Sequence, residues 1–266
     1  SVYLHIPLTV MLLGIIARGT AFTFRHYDAV VDDMQTVYNK IFVVSSFVTP
    51  LFLGIIAASA VSGRIDPLAT NFLDAYIFSW LNWFSVSVGL FTVSICGFLA
   101  AVYIIGETDT ELEKQRFIKK ARFMNIAAFL CGAVVFISAH FENIPLLEWV
   151  FGDPIGITAI TAATISLVAL WYLMKRGRTS ILRVLAGFQV SMILLTTTYS
   201  HFPNIVILKH GGYLSLLEHK GHDKTIDALA WALLLGSIFI LPALGYLIYS
   251  FQKKATTANN STEHQN

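Results

Sequence analysis

Apolar runs of about twenty residues or more, separated by short polar turns, occupy almost the whole chain: 2–22, 41–62, 78–105, 122–141, 155–174, 181–200 and 226–251. Each run is continuous rather than alternating, which selects helix over strand. About 20 residues rising ~1.5 Å each cover the ~30 Å hydrocarbon layer of a bilayer. Lipid offers backbone groups no water to bond, so a single-segment span closes its hydrogen bonds internally as a helix. The pattern therefore predicts an all-α, polytopic membrane helical bundle with seven transmembrane helices. It also predicts one transmembrane domain over residues 1–251 and a disordered tail over 252–266, where QKKATTANNSTEHQN is polar and aperiodic.

The turns carry their own signals. The longest linker on one side, GETDTELEKQRFIKKA at 106–121, contains Thr108 with Glu111 and Thr110 with Glu113, both spaced as capping boxes ahead of a helical turn. MKRGRTS at 174–180 is short enough to join antiparallel neighbours. On the opposite side, 63–77 and 142–154 carry Pro67, Pro145 and Pro154, and 202–224 mixes apolar residues with His, Lys and Gly, a composition suited to the membrane surface.

Composition agrees with the pattern, with 56% hydrophobic and 13% charged residues against roughly 25% charged in a soluble domain. The net charge of +2 is small and dispersed around helix ends, so it speaks for topology and against nucleic-acid binding. One set of alternate loops holds thirteen Lys and Arg and the other only Arg64, Lys209, Lys220 and Lys224. By the positive-inside rule the C-terminus is expected in the cytoplasm and residue 1 at the outer face. The opening Ser and the immediate start of the first helix suggest a missing N-terminal piece. Cys96 and Cys131 lie in apolar runs and read as small hydrophobes.

Chemistry-bearing residues are few. Arg18, near the end of the first apolar run, is the sharpest signal, because a guanidinium costs ~2.5–3.5 kcal/mol at the bilayer centre and less nearer the interface. It either snorkels to the interface or lines a proton or anion path or a subunit contact. His5, His140 and His201 each fall at a helix end on the outer side. Interfacial tolerance explains them, while equal depth also permits a bis-histidine haem b or a quinol pocket. The buried polar groups otherwise expected are Asn82, Asn125, Gln189 and Thr196 to Thr198, and interhelical hydrogen bonds worth ~0.6 kcal/mol each would account for them. No chain of acids crosses the bilayer, and no metal-ligand spacing, Walker loop, HExxH, CxxC, GxSxG or dinucleotide fingerprint is present. No catalytic residue is assigned.

RGTAFTFR at 18–25, preceded by LLGIIA, resembles the second-helix signature of subunit II of the cytochrome bd quinol oxidases, whose usual form is RGxAFEFR. LNWFSVSVGLFTV at 81–93, FLAAVYIIGET with TELEKQRFIKKA over 98–121, FPNIVI at 202–207 and LPALGYLIYSF at 241–251 follow in the family's order. Thr23 stands where the family has an acid, and Trp83 where it typically has proline.

The resemblance implies a subunit of eight helices in two four-helix bundles, of which this chain begins at the second helix. It implies a membrane oxidase of the respiratory chain in the prokaryotic inner membrane, passing electrons from quinol to oxygen. Haem b and haem d belong to subunit I, the partner in a heterodimer. Some members hold a structural quinone, and a small accessory subunit is a further expected partner beside membrane lipid. Arg18 matches the family arginine, and with Arg25 and Glu107 it is the candidate for a proton path or subunit interface. A secondary transporter or channel, or a haem b electron carrier built on His5, His140 and His201, are the competing readings. Pro50 and Pro242 are the only mid-helix prolines and lack the accompanying charges a transporter site needs.

Overall fold

The computed structural model of the chain describes residues 2–27, 34–105, 108, 110–176, 179–218 and 222–263. The helices are α1 (His5–Tyr27), α2 (Met34–Val61), α3 (Phe72–Tyr76), α4 (Trp83–Ile105), α5 (Glu111–Phe141), α6 (Leu146–Phe151), α7 (Pro154–Arg176), α8 (Thr179–His201) and α9 (Asp223–Glu263). Seven of them are long and apolar enough to cross a membrane; α3 and α6 are short connectors. The chain is an all-α polytopic membrane bundle.

Two compact units are distinguished, residues 1–216 and 217–266, where the apolar pattern suggests one domain to residue 251. The second unit contains α9, whose helical backbone continues to Glu263 instead of ending near 251. No Gly or Pro interrupts the segment beyond Phe251, so nothing in its chemistry stops the i to i−4 ladder.

In the first unit α2 packs between α1 and α4, α4 between α2 and α5, and α7 pairs with α8, which touches α4. Two apolar cores result. Phe98, Val102 and Ile105 of α4 meet Ala121 of α5, Leu170 of α7 and Leu182 and Ala186 of α8. Nearer the other end, Ala58 of α2 and Phe84 of α4 meet Val135 and Ala139 of α5 and Leu146 and Val150 around α6. The α2–α4 crossing is close because glycines meet there. A methyl on Gly54 would lie 2.8 Å from the Cα of Gly89, and one on Gly89 would lie 2.8 Å from the Leu51 carbonyl oxygen. Small residues let backbones approach in this way where lipid supplies no hydrophobic drive between helices.

Helix ends follow from side-chain chemistry. Asn82 Oδ1 accepts the Ser85 amide at 2.7 Å, capping α4. At the start of α5, Thr110 has the extended backbone of an N-cap, but its hydroxyl donates to Glu113 Oε2 at 3.0 Å rather than serving a backbone amide. The box residues thus pair with each other. At the end of α5, Asn143 takes φ 56° and the Ile144 amide reaches back to the Ala139 carbonyl, a Schellman closure that Asn tolerates better than most residues.

The segment after α8 is not a featureless surface loop. Asn204–Ile207 (β1) and Tyr213–Ser215 (β2) form an antiparallel hairpin across a tip where His210 and Gly211 have φ 67° and 79°. Ile65 bridges Leu208 beside it, and the Lys209 amide bonds the Ile65 carbonyl at 2.9 Å. The hairpin is thereby fastened to the loop that follows α2.

Candidate functional site

Arg18 and Arg25 stand two helical turns apart on α1 and both meet α2. The Arg18 guanidinium lies 5.4 Å from the ring centroid of Phe42, a cation–π distance. Arg25 Nη1 donates to Asn39 Oδ1 at 3.2 Å. Both arginines are exposed, and among the described residues no carboxylate pairs with either. Aromatic rings flank them, Phe22 on Phe42 and Phe24 stacked on Tyr38. Thr23, in the family's acid position, donates its hydroxyl to the Gly19 carbonyl within its own helix at 3.0 Å. Glu107 lies outside the described residues.

The three histidines share one end of the bundle but not one site. His5 Nδ1 is 2.7 Å from the Val2 carbonyl oxygen, and the ring meets Tyr76 of α3 edge-on at 5.1 Å. His140 is exposed beside Phe141. His201 Nδ1 is 2.7 Å from the Thr197 carbonyl oxygen, its ring stands edge-on to Trp149 of α6 at 4.3 Å, and its Nε2 is buried without a partner. Each imidazole has a different aromatic neighbour, Tyr76, Phe141 or Trp149. No group of three or more His, Cys, Asp or Glu among the described residues could hold a metal ion.

Of the polar residues within spans, Asn125 bridges helices as expected, accepting the Trp171 indole N–H at 3.0 Å. Thr196 and Thr197 instead bond carbonyls of their own helix, which short hydroxyl side chains reach without a partner helix. Asn82 caps its own helix. Gln189 Oε1 is buried and unpaired. It lines, with Asn125, an otherwise apolar cavity of about 380 Å³ among α4, α5, α7 and α8, walled by Phe91, Phe98, Phe129 and Phe136.

The densest electrostatics were not apparent from the sequence pattern. Glu142, with a side chain only 8% exposed, accepts the Phe84 amide at 3.2 Å through Oε1 and faces Arg64 Nη2 at 3.2 Å through Oε2. One carboxylate thus ties the end of α5 to the start of α4 and to the loop after α2. Beside it, Asp66 accepts the Leu68 amide at 2.9 Å and faces Lys209 Nζ at 3.2 Å and His210 Nε2 at 3.6 Å. The sequence shows Glu142 only as one acid just past an apolar run, and neither its burial nor its partners.

Hydrogen bonding from the Leu68 amide, then Lys209, holds the Asp66 carboxyl below its ordinary value. A depressed carboxylate stabilises the folded form above the ordinary value near 3.9 and loses that contribution as pH falls through the lowered one. Exchange of the Leu68 and Lys209 amides is therefore expected to accelerate as pH falls below about 4, after correction for intrinsic exchange. In Asp66→Asn that acid-dependent step should be absent.

The family model for cytochrome bd terminal oxidase subunit II matches residues 1–251. A search of curated proteins returns no match. The match replaces the transporter and channel readings, and with the seven membrane-spanning helices it accounts for the order of RGTAFTFR, the α4 segment and the α9 segment along one apolar chain. This chain belongs to the cytochrome bd terminal oxidase subunit II family, and so to a haem-containing oxidoreductase complex whose other member is a subunit I.

Proposed function

We propose that this chain is the supporting, haem-free subunit of a quinol:oxygen oxidoreductase, forming a heterodimer with the haem-bearing subunit I and contributing Arg18 to the interface or to a proton path. The observation that carries this reading is the exposed Arg18 on an apolar spanning helix, with an aromatic face but, among the described residues, no carboxylate as its neighbour. Such a cation is costly against lipid and is favoured against a partner's acid, carbonyl or water. Arg25, bonded to Asn39, continues the same edge toward the helix end.

Haem b and haem d are assigned to the partner, where they supply the oxygen chemistry. The histidines of this chain are assigned to packing against Tyr76, Phe141 and Trp149. A structural quinone is assigned to the Gln189 cavity, where a long apolar tail meets phenylalanine walls and the unmatched Oε1 accepts a hydrogen bond from a hydroxyl of the reduced form. The complex is placed in the prokaryotic inner membrane with this chain's C-terminus cytoplasmic, as the cation count favours. Quinol, lipid and a small accessory subunit complete the expected partners.

The test is a panel of purified complexes compared by reduced-minus-oxidised spectrum, subunit composition and oxygen consumption. The double change His140→Ala with His201→Ala should leave the haem bands per complex unchanged. Arg18→Ala should lower turnover or the yield of heterodimer by about tenfold, in line with the few kcal/mol at stake for an intramembrane cation. Loss of a haem band in the histidine variant, or wild-type yield and turnover in Arg18→Ala, would overturn the assignment.

A further inference from the structure

We infer that the groove between α4 and α5, at the bundle end where α5 begins, is a binding site for one anionic phospholipid. The groove encloses about 540 Å³. Its floor is Gly97, Ala100 and Ala101 of α4; Met124 of α5 packs over Gly97, where a Cβ would lie 3.1 Å from its Sδ, Ala101 is buried, and the exposed Ala100 leaves the recess open. Phe117 forms a wall, and Lys119 and Lys120 stand at the mouth. An apolar recess open to lipid is filled more cheaply by an acyl chain than by water.

The mouth decides the headgroup. Lys119 and Lys120 are exposed and pair with no carboxylate among the described residues; Lys120 Nζ has only the Phe117 ring, 5.2 Å from its centroid. The two acids at the start of α5 are already engaged, Glu111 by Lys114 at 3.2 Å and Glu113 by the Thr110 hydroxyl. Among the described residues, no acid lines the groove. A pair of ammonium groups without a carboxylate partner among the described residues, above an apolar slot, complements an amphiphile with a negative head, and basic pockets between spanning helices on the cytoplasmic side bind such lipids. The cation count places this end on that side.

The test uses the whole complex with its partner subunit, delipidated in detergent and titrated by native mass spectrometry with dioleoyl phosphatidylglycerol or dioleoyl phosphatidylcholine. Phosphatidylglycerol should bind the more tightly. Lys119→Gln with Lys120→Gln should weaken it about thirtyfold, roughly fivefold for each cation near an anionic headgroup. Lys119→Arg with Lys120→Arg should retain it, since charge and not shape is needed. Ala100→Phe, which fills the exposed recess and keeps both lysines, should weaken both lipids. Equal affinity for the two lipids, unchanged binding after the Gln substitutions, or displacement of the lipid by equimolar inorganic phosphate would each overturn the proposal. The last of these would leave a simple anion site without a place for the acyl chain.

Discussion

Gly89→Leu is expected to abolish recovery of an intact complex, because the α2–α4 crossing has no room for a side chain. Even the first carbon of the new residue would stand 2.8 Å from the Leu51 carbonyl oxygen and 3.0 Å from Ile55 Cγ1. The Leu51 oxygen belongs to the backbone of α2, so the clash is relieved only by moving a helix that also packs on α1. Overpacking of this kind costs about 1–3 kcal/mol for a small addition and more for a large one. Gly89→Ala should therefore assemble but lose its haem absorbance at a lower temperature than the wild type, and Gly89→Leu should not assemble. Gly187→Ala is the control, since a methyl there meets nothing within 4 Å. Equal heat resistance of Gly89→Ala and Gly187→Ala would show that the crossing tolerates separation.

The second large effect is expected at Glu142. Glu142→Ala strips the Phe84 amide of its carboxylate acceptor and leaves Arg64 facing an empty place. A hydrogen bond to a charged group is worth about 1.5–3 kcal/mol. The ion pair itself is worth only about 0–1 kcal/mol, because the Arg64 side chain is 45% exposed and screened by water. The capping role should therefore outweigh the charge pairing. Glu142→Gln, which keeps an acceptor oxygen for Phe84, should fall much closer to wild type than Glu142→Ala in thermal resistance of the complex. Equal losses in the two variants would assign the effect to charge instead.

The spanning helices were legible because twenty uninterrupted apolar residues admit few alternatives, and six of the seven extend beyond their apolar runs at one or both ends. α5 begins at Glu111 rather than near 122, since ELEKQRFIKKA propagates a helix in water as well as its apolar continuation does in lipid. The hairpin was readable in principle, as NIVI and YLS flank a Lys-His-Gly-Gly tip, yet the mixed composition of 202–224 also suits a membrane-surface loop. Arg18 was visible from its cost in lipid. Glu142 and Asp66 were not, because their importance lies in partners distant in sequence, Phe84, Arg64 and Lys209. Spacing along a chain cannot report such contacts. The common depth of the three histidines followed from helix direction, while their separate aromatic neighbours depended on how α3 and α6 fold back over the bundle end.

The fastening of the hairpin tip to Asp66 spans 143 residues of sequence. During synthesis, Asp66 leaves the ribosome well before Lys209, with α4, α5, α7 and α8 made in between. The nascent α1–α5 assembly must therefore persist in the membrane without the Lys209 clasp on Asp66, held by its apolar core, the glycine crossing and the Glu142 cap. A chain truncated after α8 would hold the same spanning helices of the first unit while lacking the final stitch across its surface, which makes the hairpin a late check that the bundle beneath it has closed.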